Sequence, residues 1–434
     1  MESFSSYLPH NDKVLWEKVK ISISKTPNDF KDLNDIFFKG KCHFFEEINK
    51  KHKKEGEEFF KIYKHLQLLA LDSENILPKK IPLLKKDSED KYELTRKQTA
   101  LIFLLSFFNL LDLNQFKERE TNPFVVFEVL QSSKGTKFEF ARCFLNYLTI
   151  IGKWLSEKNQ ILDEKIKFFR TTKYLDINNL DKNKNLCQIK IYKEGSLSNG
   201  ETPYFVDFAN MFIGGGVFEG GCVQEEILFA SRPEATVAMF FMEVMSEKDA
   251  IRIDNAIKYS NYSGYARSFK FDGSAINDYN FDKIKKNNKI IAIDACIQKN
   301  DPDGIIEIED IKRDILKAYS GFMLVHCEKS EKEEEKSIST GNWGCGAFGG
   351  DHELKFFQQW VSASFAGIQR IDYYTFGSKE MKYIIENLDK IKKKYTKAYK
   401  LYEILTKNQL ICGSVGKFIL KGKMNKKIED CSII

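Results

Sequence analysis

The sequence predicts an α/β protein, a mixed sheet flanked by helices, with an all-helical accessory region ahead of it. Apolar residues recur at helical spacing through about the first 175 positions. From Cys187 onward, short β-branched and aromatic runs alternate with helical patterns, the texture of a layered α/β domain. Two glycine-rich loops, Gly214–Gly221 and Gly341–Gly350, fall at the ends of predicted strands. The expected division is residues 1–175 as the helical region, 176–380 as the α/β domain, and 381–434 as C-terminal helices and a tail packing on the core.

Taken in order, the helical region contains "LTRKQTALIFLLSFFNLL", where Thr95 and Gln98 stand three apart before an apolar run, a capping-box pattern. In "EFARCFLNYLTIIGKWLSE", Phe140, Phe144, Leu148 and Ile151 form one apolar stripe, read as core. The polar stretches Lys79 to Lys91 and Asp176 to Asn185 read as loops. "CQIKIY" and "PYFVDFAN" read as strands leading into the first glycine loop, and Pro233 marks a helix start. "NKIIAIDACI" and "RIDYYTF" read as buried strands, with the helix "IEDIKRDILKAYSGFM" between them. Asp294 is expected to end its strand and cap a neighbour. The segment from Lys379 to Leu410 is helical and lysine-rich, and Glu328 to Ser337 is a solvated charge run.

Composition narrows the function classes. A chain of 434 residues with 42% apolar and 30% charged content can bury a substantial core. Its 68 basic residues nearly balance 62 acidic ones, net +6, so direct duplex nucleic-acid readout is not expected. Nine scattered cysteines without a CxxC pair, and six histidines, argue against a structural zinc or a disulfide framework and for a reducing compartment, nuclear or cytoplasmic. The start "MESFSSYLPHNDK" lacks a secretory pattern. The longest apolar stretch, Ala100 to Leu111, has twelve residues, against roughly 20 for a bilayer span, and is read as a buried helix. "CSII" at the end, with Cys431 and four upstream lysines, fits a prenylation signal only loosely because Ser432 is not aliphatic. A frayed tail, no membrane association and a monomer are expected.

The chemistry concentrates in "GGGVFEGGCVQEE", Gly214 to Glu226, which sets five glycines and the two adjacent glutamates Glu225 and Glu226 within thirteen residues. Consecutive glycines let backbone N–H groups converge on an anion, though on glycine content alone turn chemistry is an equal reading. No P-loop or dinucleotide fingerprint is present. Asp207 and Asn210 precede the loop, and Gln224, Glu225 and Glu226 follow it. Glycoside cleavage needs a carboxylic acid for the leaving oxygen and a carboxylate to activate water. Adjacent residues point apart, so Glu225 and Glu226 cannot be a facing pair, and one carboxylate acting as acid and then as base is the simpler reading. Cys222 and Cys345 have no histidine nearby in sequence to activate them, and His326 and His352 read as structural.

"GGG", seven residues and "QEE", with "VDFAN" before it and "YSNYSGYA" and "TGNWGCGAFGGD" after it, resemble the poly(ADP-ribose) glycohydrolase family in the same order. "LTRKQTALIFLLSFF" resembles the family's helical portion. The resemblance implies a macrodomain with an added helical region, and hydrolysis of the ribose–ribose bonds of poly(ADP-ribose) on modified proteins, mainly from chain ends. It implies Glu226 as acid and then base, Glu225 as the group positioning the ribose, and Asp207 as support. It implies substrate contacts from Asn210, Gly214, Gly215, Gly216 and Gln224, and adenine stacking on Tyr265. The loop of Asn342, Trp343, Gly344, Cys345, Gly346, Ala347 and Phe348 would wrap the diphosphate, with Trp343 chiefly wedging the loop. No metal or cofactor is implied. Where the family has an acidic residue facing adenine, this chain has Leu197 and Ser198, which puts the details of adenine recognition in doubt. A non-catalytic reader of ADP-ribosylated proteins, and a hydrolase of mono-ADP-ribosyl bonds, are the alternatives.

Overall fold

The computed structural model of the chain describes residues 8–111, 120–276, 288–298, 302–328 and 336–422. The "CSII" tail and most of the charge run near Glu333 lie outside the described residues. The chain forms two units that interleave along the sequence. The first comprises Met1–Arg170, Ala209–Met245 and Ile253–Asn288, the second Thr171–Phe208, Ser246–Arg252 and Lys289–Ile434.

In the first unit, long apolar stripes make helices that bury one face. The helices Lys53–Leu71 and Gly135–Ser156 pack closely. A Cβ at Gly152 would stand 2.4 Å from Ile62 Cδ1, so only glycine permits this approach. Thr95 caps the helix Arg96–Phe107 as a reciprocal box: Gln98 N donates to Thr95 Oγ1 at 3.1 Å and Thr95 N donates to Gln98 Oε1 at 2.9 Å. That helix is buried on nearly every side, which accounts for an apolar run with no polar face. Among the described residues no helix is long and apolar enough to cross a membrane.

The N-terminal region also contains two strands. Asp90–Thr95 pairs antiparallel with Lys165–Thr171, so the expectation of an all-helical region is corrected here. Half of "DKYELT", its Asp, Lys and Glu, has low strand propensity. Its pairing depends on partners about seventy positions away, among them Lys165 Nζ donating to Glu93 Oε2 at 2.8 Å.

A buried ion pair ties three sequence-distant segments of this unit together. Arg96 Nη1 donates to both carboxylate oxygens of Glu234, and Tyr259 OH donates to Glu234 Oε1 at 2.6 Å. Ile257 N also donates to Glu234, at 3.2 Å, and Asn146 Nδ2 donates to Tyr259 O at 3.0 Å. The "YSNYSGYA" segment is thereby fixed before it enters the hairpin Ser260–Ser263 with Lys270–Ser274.

In the second unit the strand order is Lys289–Asp294, Tyr204–Ala209, Ser337–Gly341, Arg370–Tyr374, Gln188–Tyr192. The last four of these pair in parallel. The helix Ile308–Met323 packs on Lys289–Asp294 and on the helix His352–Phe365. Asp294 ends its strand and receives Arg313 Nη2 and Lys317 Nζ, each at 2.5 Å. Those cations stand four apart on one helix face. The lysine-rich segment is two helices, Lys382–Lys394 and Ala398–Lys407, interrupted where Tyr395 adopts extended backbone.

Candidate active site

The strand ending at Ala209 releases the chain into a loop that turns back at Gly214 and Gly215, both with positive φ (88° and 50°). The helix Gln224–Ser231 then starts with Glu225 and Glu226 in its first turn, where the helix dipole favours negative charge. Each carboxylate is tied to the loop by backbone donors. Asn210 N and Gly214 N donate to Glu225 at 2.8 and 2.6 Å. Gly216 N and Val223 N donate to Glu226 at 3.0 and 2.9 Å.

The bare glycines make room for this. A Cβ at Gly215 would lie 2.5 Å from Glu226 Oε1 and 2.6 Å from Glu225 Oε2, and one at Gly221 would lie 2.9 Å from Glu226 Oε1. Both glutamates are buried, Glu226 slightly less so (7% exposed against 2%). Gln224 is half-buried at the helix start.

Tyr265 is exposed beyond the hairpin strand Ser260–Ser263. Its phenol is pushed up by desolvation, with the Glu226 charge adding to the shift. The Cys222 thiol is raised to about 12 by burial, again with Glu226 contributing. Tyr265 and Cys222 therefore share the surroundings of Glu226, and Cys222 stays a neutral thiol rather than a nucleophilic thiolate. The structure thus brings together Asn210, Gly214, Gly215, Gly216, Gln224, Glu225, Glu226 and Tyr265.

The remaining predicted residues belong to the second unit. Asp207 is fully buried on the strand Tyr204–Ala209. Leu197 is buried and Ser198 half-buried in a short turn, Ser198 Oγ lying 3.3 Å from Ser196 Oγ. The loop after Ser337–Gly341 is anchored by Trp343, which is wholly buried and donates from Nε1 to Ile293 O at 2.8 Å. Its indole is committed to the fold, and its backbone N–H donates to Gly341 O at 2.7 Å. Asn342 Nδ2 donates to Thr375 O at 2.9 Å. Gly344 has φ of 73°, and a Cβ there would stand 2.5 Å from Ala295 Cβ. The N–H groups of Cys345 and Gly350 are used within the loop, and Phe348 O accepts from Gln298 N. Those of Gly346, Ala347 and Phe348 make no hydrogen bond among the described residues. Successive unpaired N–H groups are suited to an anion. Burial raises the Cys345 thiol to about 12, so it too remains protonated.

Three features escaped the sequence reading. Asn122, in the helical region, donates from Nδ2 to the carbonyls of Phe212, Ile213 and Gly215 at 3.3, 3.0 and 2.8 Å. Thr136 Oγ1 reaches Gly220 O at 3.2 Å. Neither leaves a periodic or local signal in the sequence. Phe376 is 48% exposed at a positive φ of 50°, an uncommon conformation for an aromatic residue. It stacks on Tyr374 at 6.3 Å between ring centroids and borders Gly341. An aromatic residue before Gly377 at a strand end was the available clue.

Residues 177–383 match a family model described as poly(ADP-ribose) glycohydrolase, macro domain fold, and residues 43–170 match one described as poly(ADP-ribose) glycohydrolase, helical domain. The chain is similar to poly(ADP-ribose) glycohydrolase 1 of Arabidopsis thaliana, 32% identical over 277 residues, with 48% of this chain and 48% of that protein covered. It is also similar to poly(ADP-ribose) glycohydrolase 1 of Caenorhabditis elegans, 30% identical over 351 residues, 76% of this chain and 42% of that protein. The probable poly(ADP-ribose) glycohydrolase 2 of Arabidopsis thaliana is 32% identical over 242 residues, 48% of this chain and 45% of that protein. The chain thus spans about half the length of these relatives or somewhat less.

Proposed function

Because the chain belongs to the poly(ADP-ribose) glycohydrolase family, we propose that it hydrolyses ribose–ribose O-glycosidic bonds of poly(ADP-ribose), mainly from chain ends, and releases ADP-ribose. The observation that carries this reading is that the glycine loop and the Glu pair form one built unit, with four backbone N–H groups tethering two buried carboxylates.

In this reading Glu226, protonated, donates to the glycosidic oxygen as its bond to the anomeric carbon breaks. The electron pair leaves with that oxygen, and the resulting carboxylate takes a proton from the water that adds to the oxocarbenium carbon. Glu225, the more deeply buried of the two and tied to Asn210 and Gly214, positions the loop and the adjoining ribose. Asp207 supports the strand leading into Asn210. The N–H groups of Gly346, Ala347 and Phe348 suit a diphosphate. Tyr265 offers an aromatic face of the kind that stacks on a nucleobase.

The test is digestion of poly(ADP-ribose) by the parent chain and by Glu226→Gln, with products resolved by size. Loss of roughly three or more orders of magnitude in kcat is expected for removal of an acid–base group. Turnover near the parent's would overturn the role of Glu226. A parent chain that binds ADP-ribose tightly but leaves polymer length unchanged would instead be a reader. Release confined to mono-modified protein would make it a different hydrolase.

A further inference from the structure

We propose that Asn122, contributed by the helical region, is a positioning residue for the Glu225–Glu226 loop. This inference rests on the glycohydrolase reading. The Asn122 amide nitrogen carries two hydrogens and faces three loop carbonyls, those of Phe212, Ile213 and Gly215, at 3.3, 3.0 and 2.8 Å. The carbonyls it holds alternate along the backbone with the N–H groups that hold the carboxylates. Gly214 N, which donates to Glu225, follows Ile213 O across one peptide unit, and Gly216 N, which donates to Glu226, follows Gly215 O across another.

A peptide unit is planar, so fixing its C=O fixes the direction of the next N–H. Asn122 therefore aims the two donors that orient the two carboxylates. With Gly214 and Gly215 both at positive φ, the loop lacks the local restraint that side chains would give, and an external clamp adds to the turns it makes within itself, Gly215 N donating to Phe212 O at 3.0 Å among them. Thr136 Oγ1, accepted by Gly220 O at 3.2 Å, holds the far end of the same loop. The helical region thus supplies part of the site's scaffold without touching substrate.

The discriminating variant is Asn122→Asp, which keeps shape but replaces a donor with an acceptor facing carbonyl oxygens. Such a carboxyl is more easily protonated than a free one, and once protonated it regains a single donor. In the polymer assay at pH 7.5, kcat is expected to fall roughly 100-fold, the effect of a small misplacement of a reacting group, with a much smaller change in KM. The deficit relative to the parent should narrow as pH is lowered toward 5. Hydrogen exchange of the 212–221 segment should accelerate in the variant. Asn122→Ala, which lacks both donor and charge, should lose activity without the acid rescue, and keeps the question open to test if the Asp variant folds poorly.

A parent that cleaves polymer together with an Asp variant that matches it in kcat and in exchange would overturn the inference. So would a deficit constant across pH and accompanied by a lowered thermal midpoint. A parent without polymer cleavage whose variant still shows faster loop exchange would overturn the functional reading and leave the clamp standing.

Discussion

At the scale of single residues, the site depends on an absence. A methyl group at position 215 would fall 2.5 Å from Glu226 Oε1 and 2.6 Å from Glu225 Oε2, on a backbone with φ of 50°. Gly215→Ala must therefore displace one carboxylate or turn the loop, and kcat on polymer should drop roughly 100-fold. Gly346 is the natural contrast: its φ is unexceptional, and nothing lies within 4 Å of a Cβ built there. Gly346→Ala should therefore keep the parent's unfolding midpoint while Gly215→Ala lowers it, and urea unfolding of both variants beside polymer kinetics of Gly215→Ala checks the prediction. A Gly215→Ala chain with the parent's midpoint and turnover would mean that bareness at Gly215 is not what the site requires. The spacing of "GGG" and "QEE" was enough to locate this loop, because close approach of backbone to carboxylate demands glycine within a short stretch. It could not reveal Asn122, whose partners lie about ninety positions away and whose neighbours carry no pattern. Nor could it show that Trp343 is spent on Ile293, since an indole in a glycine loop reads equally as anchor or as ligand contact.

Elements were legible where their signals are local. Thr95 and Gln98 encode a cap that the structure forms in both directions, and the stretch "IEDIKRDILKAYSGFM" folds as the helix Ile308–Met323. Signals failed where tertiary partners decide. The strand Asp90–Thr95 exists through its ladder with Lys165–Thr171, and the break at Tyr395 carries neither glycine nor proline. What joins elements is likewise invisible locally, and the pair Arg96–Glu234 shows its weight. Arg96 comes from the first turn of one helix, Glu234 from the turn after Pro233, and Tyr259 from the segment before the hairpin, all buried. Removing the carboxylate leaves the Tyr259 phenol without its acceptor, and the Arg96 guanidinium with Asn255 O, Tyr259 OH and the more distant Glu164 carboxylate, in a dry interior. Glu234→Ala should cost about 3–5 kcal/mol, the usual penalty for breaking a buried pair. Urea unfolding would measure it, and a loss below about 1 kcal/mol, the level of exposed pairs, would show that the interior relaxes to admit water.

On the scale of the whole molecule, each unit gathers segments that are far apart in sequence, and no composition shift announces that pattern. Its consequence is a set of deeply buried polar groups drawn from distant parts of the chain. Cysteines are the clearest case. Cys42 and Cys143 are 1% and 0% exposed, and burial raises each thiol from 9.0 to about 12. A folded pKa above the unfolded one gives stability that is complete below pH 9 and is lost as pH climbs from there toward about 12. In that window the unfolded chain releases thiol protons that the folded chain retains, so the unfolded state gains. The slope is at most about 1.4 kcal/mol per pH unit for each fully buried thiol. Between pH 8 and 10.5, Cys143 alone should therefore account for about 2 kcal/mol of lost stability. Tyrosines and lysines titrate in the same range, so the informative quantity is a difference of differences. Urea unfolding of the parent and of Cys143→Ala at both pH values should show a drop about 2 kcal/mol smaller in the variant. Equal drops would mean that Cys143 ionises in the folded chain, and hence that the interior beneath the Gly135–Ser156 helix admits solvent.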